Sequence, residues 1–350
     1  MVTFHDGGLA ADHWKIYYTP DEIEEIVHHA TTTMITSGQH PIHIRIFPQP
    51  AAAPTVVMAH GMLGYGIIQA RIQLPFFRAG FNVVQFDLPG MGQSGGPRGG
   101  CTIQDVFNAW QDAIDFTVRR FGSPLFAMGV AEDGVTCYYV TANRPDIQAI
   151  SIHTLFEYGD PGGVHWQGSP GLVKLKAMGL AVSSKVRPTY SIPGPKGIPF
   201  EAVFAGPGDD AYIEKLKQDP LGMQQSELRM AYSLIKRQRA PVPFEQCRTP
   251  VQVIASEANE IWPYEMVAEN FSKLGGPKEL VTLPGAPQWE ANRQFHETYC
   301  AHVVKWFRAN GAVTAARFDE GAINTPDRDR IQGRLSDDYM ETERRRGPSY

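Results

Sequence analysis

Cysteine is scarce in this 350-residue chain: there are 4, Cys101, Cys137, Cys247 and Cys300, and no two form a Cys-x-x-Cys pair. That argues against a disulfide scaffold or a cysteine zinc site and points to reduced thiols. The 11 histidines include the pairs His28-His29 and His40-x-x-His43. Neither pair comes with clustered cysteines or carboxylates, so both read as surface residues, and no metal or other cofactor is expected. Positive charge is also short, with 32 Lys and Arg against 37 Asp and Glu and a net charge of -5. This speaks against nucleic-acid binding and a polybasic membrane surface. The run Arg344-Arg345-Arg346 follows acidic residues and reads as a solvated terminus. Met1 to Asp6 show no basic segment leading into an apolar stretch, and no apolar run is long enough to span a bilayer. The expectation is a cytoplasmic protein acting on a small molecule, with a homodimer left open.

Alternating strand and helix signals fill most of the chain. Thr19-Pro20-Asp21-Glu22 is a helix start, with a capping threonine, a first-turn proline and acids at the positive end. Strands are expected over Thr31–Ser37, His43–Phe47, Thr55–His60, Phe81–Asp87, Leu125–Gly129, Ile147–His153, Val251–Ser256 and Glu279–Leu283. Helices are expected over Ile103–Arg120, Glu132–Asn143, Tyr264–Leu274 and Gln294–Ala309. The rhythm implies an α/β fold, a mostly parallel sheet with helices on both faces. It breaks between Thr154 and Gln246, where Gly159–Gly171 and Pro188–Pro199 are rich in glycine and proline. Helical spacing returns in Ala211–Gln218 and Gln224–Arg239. The division is an N-terminal segment with a helix over 1–30, a core over 31–153 and 247–311, a lid over 154–246, and a charged tail over 312–350.

Three turns carry chemistry. His60-Gly61-Met62 follows the first buried strand, Asp87-Leu88-Pro89-Gly90-Met91-Gly92-Gln93-Ser94 follows the next, and Gly129-Val130-Ala131-Glu132-Asp133-Gly134 joins a strand to a helix, with Pro145 after that helix. In these motifs the chain resembles the α/β-hydrolase superfamily over roughly residues 31 to 310. The resemblance implies a parallel sheet with an inserted lid, an oxyanion loop at His60-Gly61-Met62 and a nucleophile elbow at Gly129–Gly134. A dinucleotide site is a poor competitor. Gly90-x-Gly92-x-x-Gly95 fits that fingerprint, but Gly95-Gly96-Pro97-Arg98-Gly99-Gly100 cannot continue as the helix it must open.

By the same resemblance the nucleophile, acid and base positions of a triad fall on Ala131, Asn259 and Gln288. Alanine has no hydroxyl, and the two amides hydrogen-bond but cannot take up a proton near neutral pH. A laboratory serine-to-alanine change would explain Ala131 alone and leave an aspartate and a histidine at the other two positions. A register shifted by two would make Asp133 a carboxylate nucleophile, at the cost of crowding the turn with Val135. A base relocated to His153, at the end of a buried strand, is another alternative, and Glu132 beside the elbow tip is open as a general base. His165, His296 and His302 read as lid, surface or helix-packing residues. The oxyanion donors implied are the backbone N–H groups of Met62 and Glu132, and the pocket residues are His60, Gly61, Met62, Asp133 and Trp289. The leading expectation is cofactor-independent, non-covalent chemistry on a carbonyl-bearing apolar molecule: cyclisation, elimination, isomerisation, or carbon–carbon bond formation or cleavage. A non-catalytic binding or scaffold protein is the alternative from another class.

Overall fold

The computed structural model describes residues 11–122, 124–158, 169–193, 200–223, 225–236 and 238–311. The expected tail, most of the first glycine-rich lid segment, the second half of the Pro188–Pro199 segment and His165 lie outside these residues. Eight strands form one sheet: β1 (Thr31–Ser37), β2 (His40–Phe47), β3 (Thr55–Met58), β4 (Asn82–Phe86), β5 (Leu125–Gly129), β6 (Ile147–His153), β9 (Val251–Ser256) and β10 (Lys278–Leu283). Their spatial order is β1-β2-β4-β3-β5-β6-β9-β10. β2 pairs antiparallel with β1 and β4, and the rest of the sheet is parallel. β3, β4 and β5 are buried at every position, as strands covered on both faces must be. This is an α/β-hydrolase fold.

The helices follow from local signals. α1 (Ala11–Trp14) precedes α2 (Pro20–His29), whose capping box joins Thr19 and Glu22. α4 (Ile103–Phe121) has the equivalent box between Thr102 and Asp105. α3 (Ala70–Arg78) carries Pro75 in its interior, a residue that weakens any helical signal in sequence. α10 (Tyr264–Lys273) lies between the last two strands, α11 (Arg293–Asn310) packs on α3, and a ring cluster of Phe76, Phe81, Phe126 and Phe307 fills the space between helices and sheet. Among the described residues no helix is long and apolar enough to cross a membrane.

Between β6 and β9 the described residues hold α6 (Pro170–Val186), β7 (Ser191–Pro193), α7 (Phe200–Val203), α8 (Asp209–Gln218), β8 (Gln225–Glu227) and α9 (Leu228–Ile235). Two points of the sequence reading are corrected here. A 17-residue helix begins at Pro170, in a stretch for which the sequence offers no helical signal; proline at the first helical position is preorganised for it. The helix expected over Gln224–Arg239 is shorter, because Gln225–Glu227 pairs with β7 before α9 begins.

β3 has β4 on one side and β5 on the other, so the chain reverses direction across the sheet at this strand. Ligand crevices open at the carboxyl ends of strands at such a point. The loop after β3 and the turn into α5 (Glu132–Thr141) both emerge there. That turn is tight: a Cβ added to Gly129 would lie 2.5 Å from the Asp133 carbonyl oxygen and 2.7 Å from the Gly134 Cα. Gly129→Ala is therefore expected to destabilise by about 1–3 kcal/mol or more, since backbone must shift to admit the methyl group. Urea unfolding of the variant against the parent protein checks this.

Candidate active site

The tip of the turn is Ala131, with φ 55 and ψ -136. It is one of three non-glycine residues with positive φ among the described residues. Such a conformation costs on the order of 1–3 kcal/mol and persists where the surroundings over-determine it. Here it lies in the two-residue turn between the end of β5 at Gly129 and the start of the following helix at Glu132. The loop from β3 presses against this tip: a Cβ on Gly61 would lie 3.2 Å from the Ala131 Cβ. Asp133, by contrast, sits inside α5 and accepts a hydrogen bond from the Trp110 indole at 2.8 Å. Burial raises its pKa well above the ordinary range, only partly opposed by that bond, and it does not line the cavity described next.

Ala131 and Glu132 line a cavity of about 80 Å³ with Gly61, Met62, Trp289 and His296. A cavity of about 150 Å³ holds a benzene ring, so 80 Å³ has room for only a few non-hydrogen atoms. The remaining wall is largely apolar, including Ile68, Ile72, Phe204 and Trp262. Phe204 and Tyr212 reach it from the segment between β6 and β9, and the Trp289 N–H donates to the Val203 carbonyl at 2.9 Å, tying that segment to the core. Glu132 has no hydrogen bond or ion pair to its carboxyl among the described residues. Burial alone pushes its pKa up to about 8.

Asn259 and Gln288 are brought together behind this wall. The Asn259 side-chain oxygen accepts from the backbone N–H of Ile261 at 2.9 Å and of Trp262 at 3.0 Å. Those two donors decide which way the amide faces, so its nitrogen points at Gln288 and donates to the Gln288 side-chain oxygen. Gln288 is fully buried, and its remaining Nε2 donor has no partner among the described residues. The pair therefore ends in an N–H donor, where an aspartate–histidine pair would end in a proton acceptor.

Two histidines named from sequence stand back from the cavity. His60 donates from Nδ1 to the Gly61 carbonyl at 2.9 Å and accepts the Leu88 N–H on Nε2 at 3.0 Å. Its ring thus clamps the β3 loop to the next turn and does not line the pocket. Asp87 completes that clamp by accepting from the backbone N–H groups of Gly66 and Gln93. Burial opposes its ionisation, but its contacts with His43, His60 and Gln93 hold its pKa down at about 2. His153 is sealed behind Trp289 and Tyr299, with Nε2 3.2 Å from the Ser256 hydroxyl. Burial pulls its pKa down to about 3.

His296 is the residue that sequence reasoning discounted. It lines the cavity from the first turn of α11, 6% exposed, beside the Trp289 ring at 5.3 Å. Neither ring nitrogen makes a well-formed hydrogen bond among the described residues, although a backbone contact with Glu290 slightly favours its charged form. Burial and then the charge of Arg71 lower its pKa to about 4. A usable signal was present in its position one turn into a helix capped by Asn292, close after Trp289.

The fold and the turn at Ala131 define a protein of α/β-hydrolase architecture. Residues 50–287, more than half of the chain, match the family described as Serine aminopeptidase, S33, and the chain belongs to that family. Solved structures agree on the fold. A monoacylglycerol lipase from Paleococcus ferrophilus is 22% identical, with 77% of this chain and 99% of that chain covered and a TM-score of 0.61. A soluble variant of monoglyceride lipase from Saccharomyces cerevisiae, in complex with a substrate analog, is 16% identical over 80% of this chain and 94% of that chain, with a TM-score of 0.64. A thermostable carboxyl esterase from Bacillus coagulans is 13% identical, covering 80% of this chain and 98% of that one, with a TM-score of 0.64. No curated protein matches the chain.

Proposed function

We propose that this chain has a degenerate triad, Ala131, Asn259 and Gln288, and carries out non-covalent proton-transfer chemistry on a small apolar molecule bearing a carbonyl group. The observation that carries this reading is the Asn259–Gln288 amide pair, oriented by two backbone donors so that it ends in an N–H. Such a pair cannot draw a proton from a nucleophile, and Ala131 supplies no nucleophile. The N–H groups of Met62 and Glu132, beside the elbow, remain suited to a carbonyl oxygen that gains negative charge. One such donor contributes about 3 kcal/mol to a transition state. That is small against the barrier of ester or amide hydrolysis and useful for enolisation, where the same oxygen becomes an oxyanion.

Two groups on the cavity wall can move the proton. Their pKa values are displaced past each other, Glu132 upward and His296 downward, so near neutral pH Glu132 holds its proton and His296 is a free base. Environments that separate two titratable groups in this way assign acid and base. His296 takes the proton next to the carbonyl, and Glu132 returns one to the enolate or to a departing group. Elimination, isomerisation, aldol-type cyclisation and carbon–carbon bond formation can begin with that step, and carbon–carbon cleavage that releases an enolate ends with its reverse. The chain is read as working in the cytoplasm on a small molecule, without nucleic acid, membrane or cofactor, with pairing as a homodimer open to a sedimentation measurement.

Short-chain ketones and β-keto esters incubated in D2O provide the test. The protein is expected to exchange the hydrogens beside the carbonyl faster than buffer does. Glu132→Gln is expected to slow that exchange by about 10²–10⁴-fold, the usual contribution of a positioned acid or base. Turnover of simple esters through a covalently trapped intermediate would sink the proposal. The tight 80 Å³ cavity favours a second reading, a binding protein for a small carbonyl compound. Saturable binding of the same ketones with no exchange would select it.

A further inference from the structure

A second cluster of chemically active side chains lies away from this cavity, at the opening of β2. A ring nitrogen of His40, the thiol sulfur of Cys101 and a carboxylate oxygen of Asp105 all lie within 4.8 Å of one another. They come from three places: the first residue of β2, the end of the glycine-rich loop after β4, and the first turn of α4. We propose that His40, Cys101 and Asp105 bind a divalent zinc-like cation.

The donor set is one imidazole, one thiol and one carboxylate, the three ligand types that zinc accepts, and a thiolate discriminates against magnesium and calcium. Tetrahedral zinc with bonds of about 2.0–2.3 Å needs ligand atoms roughly 3.3–3.8 Å apart. The three ligand atoms, within 4.8 Å of one another, must draw closer for an ion to be held by all of them.

The loop leaves room for such an ion. At Gly96 the chain has φ +105, and an added Cβ would sit 2.9 Å from the Cys101 sulfur and 3.1 Å from the His40 Nδ1. Both donor atoms therefore converge over a position where the chain carries no side chain. Cys101 is 3% exposed, and among the described residues its one side-chain hydrogen-bond contact is a long one of 3.9 Å to the Pro97 carbonyl. The His40 ring has no hydrogen-bond partner among the described residues, and His40 and Asp105 are partly exposed, so water has access to the fourth position. Asp105 is held in place by Thr102, whose N–H and hydroxyl both donate to Oδ2, at 2.7 and 2.8 Å. That is the kind of outer support that orients a ligating carboxylate.

Position gives the ion a consequence. The same loop anchors the insertion, because the Glu227 N–H at the end of β8 donates to the Gly99 carbonyl at 2.7 Å. A cation joining β2, the loop and α4 fastens the loop to which β8 is hydrogen-bonded, and none of its three ligands lines the Ala131 cavity.

The probes are Zn²⁺ and Co²⁺ added to the full-length protein freed of metal with a chelator. The expected result is one ion per chain by elemental analysis, a thiolate-to-cobalt charge-transfer band, and a rise in melting temperature with Zn²⁺ but not with Mg²⁺. Cys101→Ser is expected to abolish the charge-transfer band, and His40→Ala to lower affinity by more than the roughly 10–100-fold that an outer-shell change already costs. Should a variant fold poorly, Asp105→Asn keeps the Thr102 cap and is expected to weaken Zn²⁺ binding while leaving the metal-free melting temperature within a few degrees. Binding below one ion per chain, a band that survives Cys101→Ser, or zinc affinity unchanged in His40→Ala and Asp105→Asn would each overturn the proposal.

Discussion

Ala131→Ser alone is expected to react with p-nitrophenyl esters and fluorophosphonate probes no faster than the parent protein does. The new hydroxyl would sit at the strained tip of the turn, where φ is 55, correctly aimed for attack. Its proton would have nowhere to go, because Gln288 presents Nε2–H and not a ring nitrogen lone pair. Changing all three positions, Ala131→Ser with Asn259→Asp and Gln288→His, reverses the polarity of the chain of hydrogen bonds. Aspartate accepts the same two N–H groups from Ile261 and Trp262 and turns its second oxygen to the histidine, which then offers Nε2 to the serine. Removing a triad from a serine hydrolase costs about 10⁶ in kcat, so the triple variant is expected to gain at least about 10³-fold in ester turnover and to become labelled covalently. Strong labelling of the single variant would mean that another group, such as His296, already serves as the base. A triple variant that folds but stays silent would mean that the cavity lacks the oxyanion geometry assigned to Met62 and Glu132.

Glu132→Gln is expected to make the protein more stable at alkaline pH while weakening its chemistry. The Glu132 carboxyl has a pKa of about 8 in the folded chain against an ordinary 4.5, raised by burial with no compensating partner. The folded state therefore binds this proton more tightly than the unfolded state. Stability is undiminished below pH 4.5, falls as the pH rises from 4.5 to about 8, and levels off above that. Glutamine keeps the shape and cannot ionise, so the fall is removed. Discounted for the part of the side chain that solvent reaches, the variant is expected to gain about 2–4 kcal/mol over the parent at about pH 9 and almost nothing at about pH 5. Urea melts of both proteins at these two pH values measure it directly. Equal stability at both pH values would place the carboxyl in water and remove it from the proposed chemistry. A cost of this size, borne at the cavity wall, is what a functional acid predicts and a packing residue does not.

The sheet was legible because buried parallel strands leave short apolar runs bounded by turns. Leu125–Gly129, Ile147–His153 and Val251–Ser256 were located to the residue. The turn at Ala131 was legible too, since Gly129 and Gly134 are required by backbone crowding that no other residue tolerates. α3 gave no such signal, because Pro75 breaks the pattern that the surrounding apolar residues would make, and its nine residues are held by packing against α11. α6 was obscured by Pro170, Gly171 and Gly179, which lower local propensity while the rest of the helix overrides it.

The candidate sites divide in the same way. Sequence by itself determined that Ala131, Asn259 and Gln288 carry neither a nucleophile nor a proton acceptor, since that is a property of residue type. Only the tertiary structure decided that the two amides touch, which way each faces, and that Glu132 and His296 share a cavity while His60, Asp133 and His153 do not line it. Contacts between residues far apart in the chain are set by how the sheet stacks its helices, and no local spacing records them. His40 makes the point most sharply. Its sequence neighbours offer no metal shell, and the fold brings it Cys101 and Asp105 from sixty residues away because the loop after β4 returns to the start of β2.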